Sequence, residues 1–185
     1  MIPCEWCEVN HFSEGLASVK HSRYGKMGFI DKNGTLIIPC KWDYPIGFQI
    51  FFSEGLAIVK DDNRKCGFID RAGNVVIPCK WDDASAFSEG LAYVYDYDGQ
   101  KGFINKEGNF AISCKWKKVW SFSDGMAMVH DDNEKYGYIN KAGILVIPCK
   151  WGTGEHFSEG LAWVWDSNNS NSRCHIINKQ GKIVK

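Results

Sequence analysis

One phrase, Phe-Ser-Glu-Gly-Leu-Ala, constrains what this chain can fold into more than any other feature, because it recurs. It begins at Phe12, Phe52, Phe87, Phe122 (with Asp124 and Met126 in place of Glu and Leu) and Phe157, mostly 35 residues apart. After each copy come an Ala-x-Val triplet, a Gly-Phe-Ile-Asp-like segment and a Gly; Ile-Pro-Cys-Lys-Trp follows in three copies and Ile-Ser-Cys-Lys-Trp in another. Self-similarity with a period of roughly 20–50 residues marks a repeat architecture, in which each unit buries its apolar face against the next. Five copies fill the chain, with approximate bounds 1–37, 38–76, 77–111, 112–146 and 147–185, and they predict one repeat domain over 1–185.

Within a copy the segments are of strand length and show no helical period. Leu91-Ala92-Tyr93-Val94-Tyr95, Lys101-Gly102-Phe103-Ile104 and Asn74-Val75-Val76-Ile77 illustrate the three strands. Polar links such as Asp61-Asp62-Asn63 and Asp131-Asp132-Asn133 predict hairpin turns with Asn or Asp at positive φ. The second link, Asp31-Lys32-Asn33-Gly34 and its four counterparts, has Asx first and Gly fourth, the pattern of a type I turn closed by a left-handed Gly. Each copy is therefore expected to be a three-stranded antiparallel meander, and the chain all-β.

Copies of about 35 residues with three strands are short for propeller blades, which typically have four strands in ~40–45 residues. That favours an open, solenoid-like array. The alternative is a five-bladed, propeller-like ring, since the first copy carries an Ile2-Pro3-Cys4-Glu5-Trp6 segment that the last one lacks. Removing residues 1–6 separates the two, because a ring loses most of its stability and an array one terminal segment's worth.

The motifs Gly-Leu-Ala-x-Val, Gly-Phe-Ile-Asp-x-x-Gly and Val-Ile-Pro resemble the bacterial WG (KWG) β-repeat family along essentially the whole chain. Where that family carries the Trp of its Trp-Gly pair, this sequence has Met27, Cys66, Lys101, Tyr136 and Cys174. The resemblance implies an all-β interaction scaffold and brings no catalytic residues with it.

Lys+Arg and Asp+Glu balance at 22 each, so no net field draws the molecule to nucleic acid or an anionic membrane, and neither partner is expected. The N-terminal residues lack the basic and apolar regions of a signal peptide, which predicts a cytoplasmic protein. Of eight cysteines, Cys4, Cys40, Cys79, Cys114 and Cys149 occupy one repeat position and read as small, buried, reduced thiols. The five histidines sit at different repeat positions, and Cys4-Glu5-Trp6-Cys7 is a single pair without a second. No metal, cofactor or catalytic residue is expected, and the repeated acids Glu14, Glu54, Glu89, Asp124 and Glu159 read as solvated turn residues.

Two surfaces are candidates for binding another protein. The link after Trp42 is longer than the others and apolar, with Phe48, Ile50 and Phe51, although it could equally fold down as a cap. The second is one face of the first strand. There Ala and Val point to the core, and the opposite face varies between copies: Ser18/Lys20, Ile58/Lys60, Tyr93/Tyr95, Met128/His130 and Trp163/Trp165. Tyr, Trp and Met are enriched at protein interfaces, while burial on both faces of a stacked sheet would account for the same residues as filler. A Lys-Trp stripe (Lys41-Trp42, Lys80-Trp81, Lys115-Trp116, Lys150-Trp151) offers an alternative, stacking a glycan, a small ligand or a base.

Overall fold

A computed structural model describes residues 6–23, 25–43, 50–97, 101–167, 169 and 171–184. Strands β1 (Glu8–Val9), β2 (Leu16–Lys20), β3 (Met27–Asp31) and β4 (Leu36–Trp42) form the first antiparallel sheet in that order. β5 (Leu56–Lys60), β6 (Cys66–Asp70) and β7 (Val75–Trp81) form the second. The third contains β8 (Asp83–Ala84), β9 (Ala92–Tyr95), β10 (Lys101–Ile104) and β11 (Phe110–Ser113). The fourth contains β12 (Lys118–Val119), β13 (Met126–His130), β14 (Tyr136–Asn140) and β15 (Leu145–Trp151). β16 (Thr153–Gly154), β17 (Leu161–Trp165) and β18 (Cys174–Asn178) make the fifth, with Ile183 bridging back to Ile177. The fold is an all-β tandem repeat of small antiparallel sheets, and among the described residues there are five of them, none closed into a barrel.

The expected three-stranded meander is present in the first four repeats, and in the fifth its third strand is reduced to the Ile183 bridge; the link between repeats is not plain coil. In four of the sheets its residues pair with the first long strand as a two-residue strand, for example Asp83 with Tyr95 and Ala84 with Val94. Two ladder positions are too few to leave an alternation in the sequence, so this strand is missed by periodicity. The chain divides into two compact units. The first takes Met1–Phe87, Val94–Gln100 and Lys106–Asn109, and the second Ser88–Tyr93, Lys101–Asn105 and Phe110–Lys185.

The Asx-x-x-Gly turns form as expected. Asp31 Oδ1 accepts the N–H groups of Asn33 (2.9 Å) and Thr35 (2.8 Å), and Gly34 takes φ of 86°. In the Asp-rich turns positive φ falls one residue later than expected, on Arg64 (61°) and Glu134 (59°). Asp61 and Asp131 each accept two backbone N–H bonds through one carboxylate oxygen, and their carbonyls accept the N–H of the left-handed residue itself.

The Gly of Gly-Phe-Ile is set by a close approach. The pairing of β6 with β7 shifts register between Cys66 and Phe68, and a Cβ on Gly67 would lie 2.6 Å from the Ile77 carbonyl oxygen and 2.7 Å from Cys79 Sγ. Gly67→Ala is therefore expected to cost about 1–3 kcal/mol, as overpacking does in a closed core. Urea unfolding measures it, and a loss below about 0.5 kcal/mol would show that the bulge relaxes freely.

Cores form between the Ala/Val face of one repeat's first strand and the second-strand aromatic of the repeat before it: Ala57 and Val59 cluster with Phe29, Ala127 and Val129 with Phe103, and Ala162 and Val164 with Tyr138. Ala17, Val19, Ala57, Val59, Ala92, Val94, Ala127, Val129, Ala162 and Val164 are all buried, as the alternation predicts.

Candidate functional site

The recurring Phe-Ser-acid-Gly phrase is a two-residue hairpin. Ser13 and Leu16 exchange both backbone bonds (2.9 and 3.0 Å), and the residues between them, Glu14 and Gly15, have φ of 50° and 84°. Two central residues with positive φ define a type I′ turn, which favours Asn-Gly and Asp-Gly; Glu in the first position is strained. The same strain is present at Glu54, Glu89 and Glu159, with φ between 52° and 54°, while Asp124 at 54° is a residue this turn accepts.

What offsets it lies one repeat on. In the first unit Ser13 Oγ donates to the Phe52 carbonyl (2.6 Å), and the Glu14 carboxylate accepts the Gly55 N–H (3.0 Å). Ser53 Oγ likewise donates to the Phe87 carbonyl (2.7 Å), and Lys106 Nζ reaches the Glu54 carbonyl (2.9 Å) and carboxylate (3.2 Å). In the second unit Ser88 bonds the Phe122 carbonyl and Ser123 the Phe157 carbonyl. Glu89 there accepts from Gly125 and Lys141, and Asp124 from Gly160 and Lys179. The expectation that these acids are solvated turn residues is thus corrected for Glu14, Glu54, Glu89 and Asp124, which staple one repeat to the next. Between the staples the phenylalanine inserts against the preceding sheet. Phe52 meets Phe29, Phe87 meets Phe68, Phe122 meets Phe103 and Phe157 meets Tyr138, with ring centroids 4.8–4.9 Å apart.

These bonds carry a pH dependence. The Lys179 ammonium and the Gly160 N–H hold Asp124 below its usual 3.8. At Glu89 burial pulls the carboxyl up, but Gly125 N–H and Lys141 outweigh it and the net shift is downward from 4.5. Turn carboxylates Asp31 and Asp70 are lowered by the N–H of Thr35 and by Asn74 respectively. Depressed carboxylates stabilise the fold fully above their unfolded values and lose that contribution as pH falls through their folded ones. Thermal stability should therefore hold from neutral pH to about 4.5 and decline below about 3.8. A melting temperature that is flat down to about pH 2.5 would contradict the staples.

The structure divides the variable face of the first strand by repeat. Ser18, Lys20, Ile58, Met128 and His130 are buried, as side chains that fill the space between stacked sheets are. Tyr93 and Tyr95 are half-buried, and Tyr95 packs edge-on against the exposed Tyr97 at 5.4 Å. Among the described residues this face opens in the fifth sheet: Leu161 is 42% and Trp163 49% exposed, and Trp165 is half-buried. In the long link Ile50 is buried with its carbonyl accepting Ser18 Oγ (3.0 Å), Phe51 is exposed, and Phe48 lies outside the described residues.

Trp42, Trp81 and Trp151 are buried, and each is covered by its own preceding lysine, whose Nζ lies 4.7–4.9 Å from the ring centroid. A ring packed on one side and capped by an ammonium on the other leaves no free face for a base or sugar to stack on. Cys40, Cys79 and Cys149 pack over the Gly of the bulge, and burial pushes Cys79, Cys114 and Cys149 up to about 11 and Cys66 to about 12. At neutral pH they are protonated and poor nucleophiles.

Sequence reasoning missed a further set. Leu36 and Ile37 on β4, Val75 and Val76 on β7, Phe110 on β11, and Leu145 and Val146 on β15 are all 37–49% exposed. These strands each end their sheet. The signal was present, since two successive apolar residues open the third strand of the first four repeats, but a strand buried on both faces reads the same way.

Among curated proteins none matches the sequence. Several solved structures share the fold. A eukaryotic initiation factor matches 99% of this chain at 13% identity and a TM-score of 0.64. The computationally designed Ika8 protein matches 96% at 10% and 0.58, and Hsv2 from Kluyvelomyces marxianus 95% at 13% and 0.57. The chain spans 56%, 60% and 64% of the initiation factor, Ika8 and Hsv2 respectively. At such identities the likeness is one of fold. The sequence profile of the WG containing repeat matches four segments, 27–64, 67–98, 102–134 and 136–164, and the chain belongs to the WG repeat family.

Proposed function

We propose that the chain is a non-catalytic scaffold that binds another protein through the apolar side chains on its outer strands. The carrying observation is the recurrence of exposed Leu36/Ile37, Val75/Val76, Phe110 and Leu145/Val146 at one repeat position. Edge strands that must stay solitary usually carry charge there, because an apolar edge invites pairing and aggregation. Here the edge carries branched apolar residues, and Pro39, Pro78 and Pro148 remove a backbone donor from three of these strands. Side chains rather than main-chain pairing thus supply the attraction, which suits a partner with a complementary apolar surface and few charges.

The test has two stages. A protein captured by the wild-type chain from native lysate is identified, purified and titrated against wild type and against Val75→Ser/Val76→Ser/Leu145→Ser/Val146→Ser. The substitutions should weaken binding roughly thirtyfold or more, while melting changes little because the sites are on the surface. Affinity should also hardly respond to ionic strength. Equal binding by the variant, or an affinity that collapses with salt as a phosphate-backbone ligand's does, refutes the reading.

A further inference from the structure

At four junctions the molecule shows how one repeat receives the next, and at two places that junction is half made. The first is the open face of the fifth sheet. Trp163 stands opposite Ile176 on β18, at the position where Phe29, Phe68, Phe103 and Tyr138 of the other sheets each meet an incoming phenylalanine. No such ring among the described residues covers it, and Trp163 is 49% exposed. Ser158 and Glu159, whose counterparts bond the following repeat, are exposed and their side chains bond no described residue. Glu159 nonetheless keeps the strained φ of 52°. The strain is present without the bond that offsets it elsewhere, which marks a position built for a partner.

The second half-junction is at the first repeat. Phe12 is 39% exposed, whereas Phe52, Phe87, Phe122 and Phe157 are buried. Its corner presents the Phe12 carbonyl, the Gly15 N–H and, on the neighbouring turn, an exposed Lys32 ammonium. Those are the acceptor, donor and cation that Ser158 Oγ, the Glu159 carboxylate and the carboxylate's ion-pair position lack.

We propose that these two half-junctions join in a head-to-tail contact between copies of the chain. Phe12 of one copy seats on Trp163 and Ile176 of the other, Ser158 Oγ donates to the Phe12 carbonyl, and Glu159 accepts from Gly15 and pairs with Lys32. The two patches differ, so the contact is heterologous: it propagates along a row of copies or closes into a ring of them. This contact uses none of the side chains substituted in the outer-strand test, so either proposal can fail without the other.

Sedimentation equilibrium of the full chain from about 1 µM to about 1 mM, the range open to a modest interface, tests it. Mass should rise with concentration. Phe12→Glu and Trp163→Glu each replace an exposed side chain, so both should fold and melt like wild type, and each alone should weaken association roughly thirtyfold or more. Mixed in equal amounts they should form a dimer that grows no further, because one variant keeps an intact head and the other an intact tail. Glu159→Lys should weaken association, and adding Lys32→Glu should restore it. A wild type that stays monomeric throughout overturns the proposal. So does a self-association that the variants leave unchanged, or one their mixture does not rebuild. Increased hydrogen exchange over 161–165 on Phe12→Glu in the dilute monomer would assign the contact to the same chain and overturn it equally.

Discussion

Phe87→Ala is expected to lower the unfolding free energy by about 3–5 kcal/mol, the usual cost of removing a fully buried ring from a core that cannot collapse. Phe87 is buried edge-on against Phe68 with centroids 4.9 Å apart, and its carbonyl takes the Ser53 hydroxyl at 2.7 Å. The ring therefore lies where the corner of one repeat meets the sheet before it, and its loss opens a cavity at that joint. Phe12→Ala is the internal control. It removes the same side chain from the same phrase, but Phe12 is exposed, so the dilute protein should change by no more than about 0.5 kcal/mol. Urea midpoints with unchanged slopes report both. Equal effects at Phe87 and Phe12 would show that burial against the preceding sheet is not what holds the repeats.

The second large effect is expected at tryptophan. Trp81→Ala should cost about 3–5 kcal/mol, since the ring is buried at the end of β7, paired with Cys66 and covered by Lys80. Trp163→Ala should leave dilute stability within about 0.5 kcal/mol, because that ring stands on an uncovered face. The two residues differ in position rather than chemistry, so the contrast measures the face directly. Were Trp163→Ala to destabilise as Trp81→Ala does, the fifth sheet would be closed in solution and its open face disproved.

The turns and the core face could be read before any coordinates, because both depend on neighbours close in sequence. Asp70 bonds its own turn at Ala72 and Asn74, and Ala57 and Val59 share a face by alternation alone. The acids of the corner could not be read that way. Glu14 finds its donor 41 residues on, at Gly55, and nothing local distinguishes that carboxylate from a solvated one. The period itself was the available clue. Glu kept in four of five copies at a turn position that favours Asn or Asp implies some recurrent compensation. The same distance effect explains the variable face. Ser18, Met128 and Trp163 occupy one position on the first strand, yet whether each is buried depends on what the following repeat lays over it.

The corner also imposes an order on synthesis. A ribosome delivers each strained acid before the glycine that relieves it: Glu14 emerges 41 residues ahead of Gly55, and Glu89 36 ahead of Gly125. At about 5–20 residues per second the gap is roughly 2–8 s, long compared with hairpin formation in microseconds. Each nascent repeat thus waits, formed but unlatched, with its phenylalanine pocket open to the solvent and to other emerging chains. Translation rate through the middle of the message then becomes a determinant of yield, and slow decoding just after a corner is where misassembly between nascent copies should concentrate.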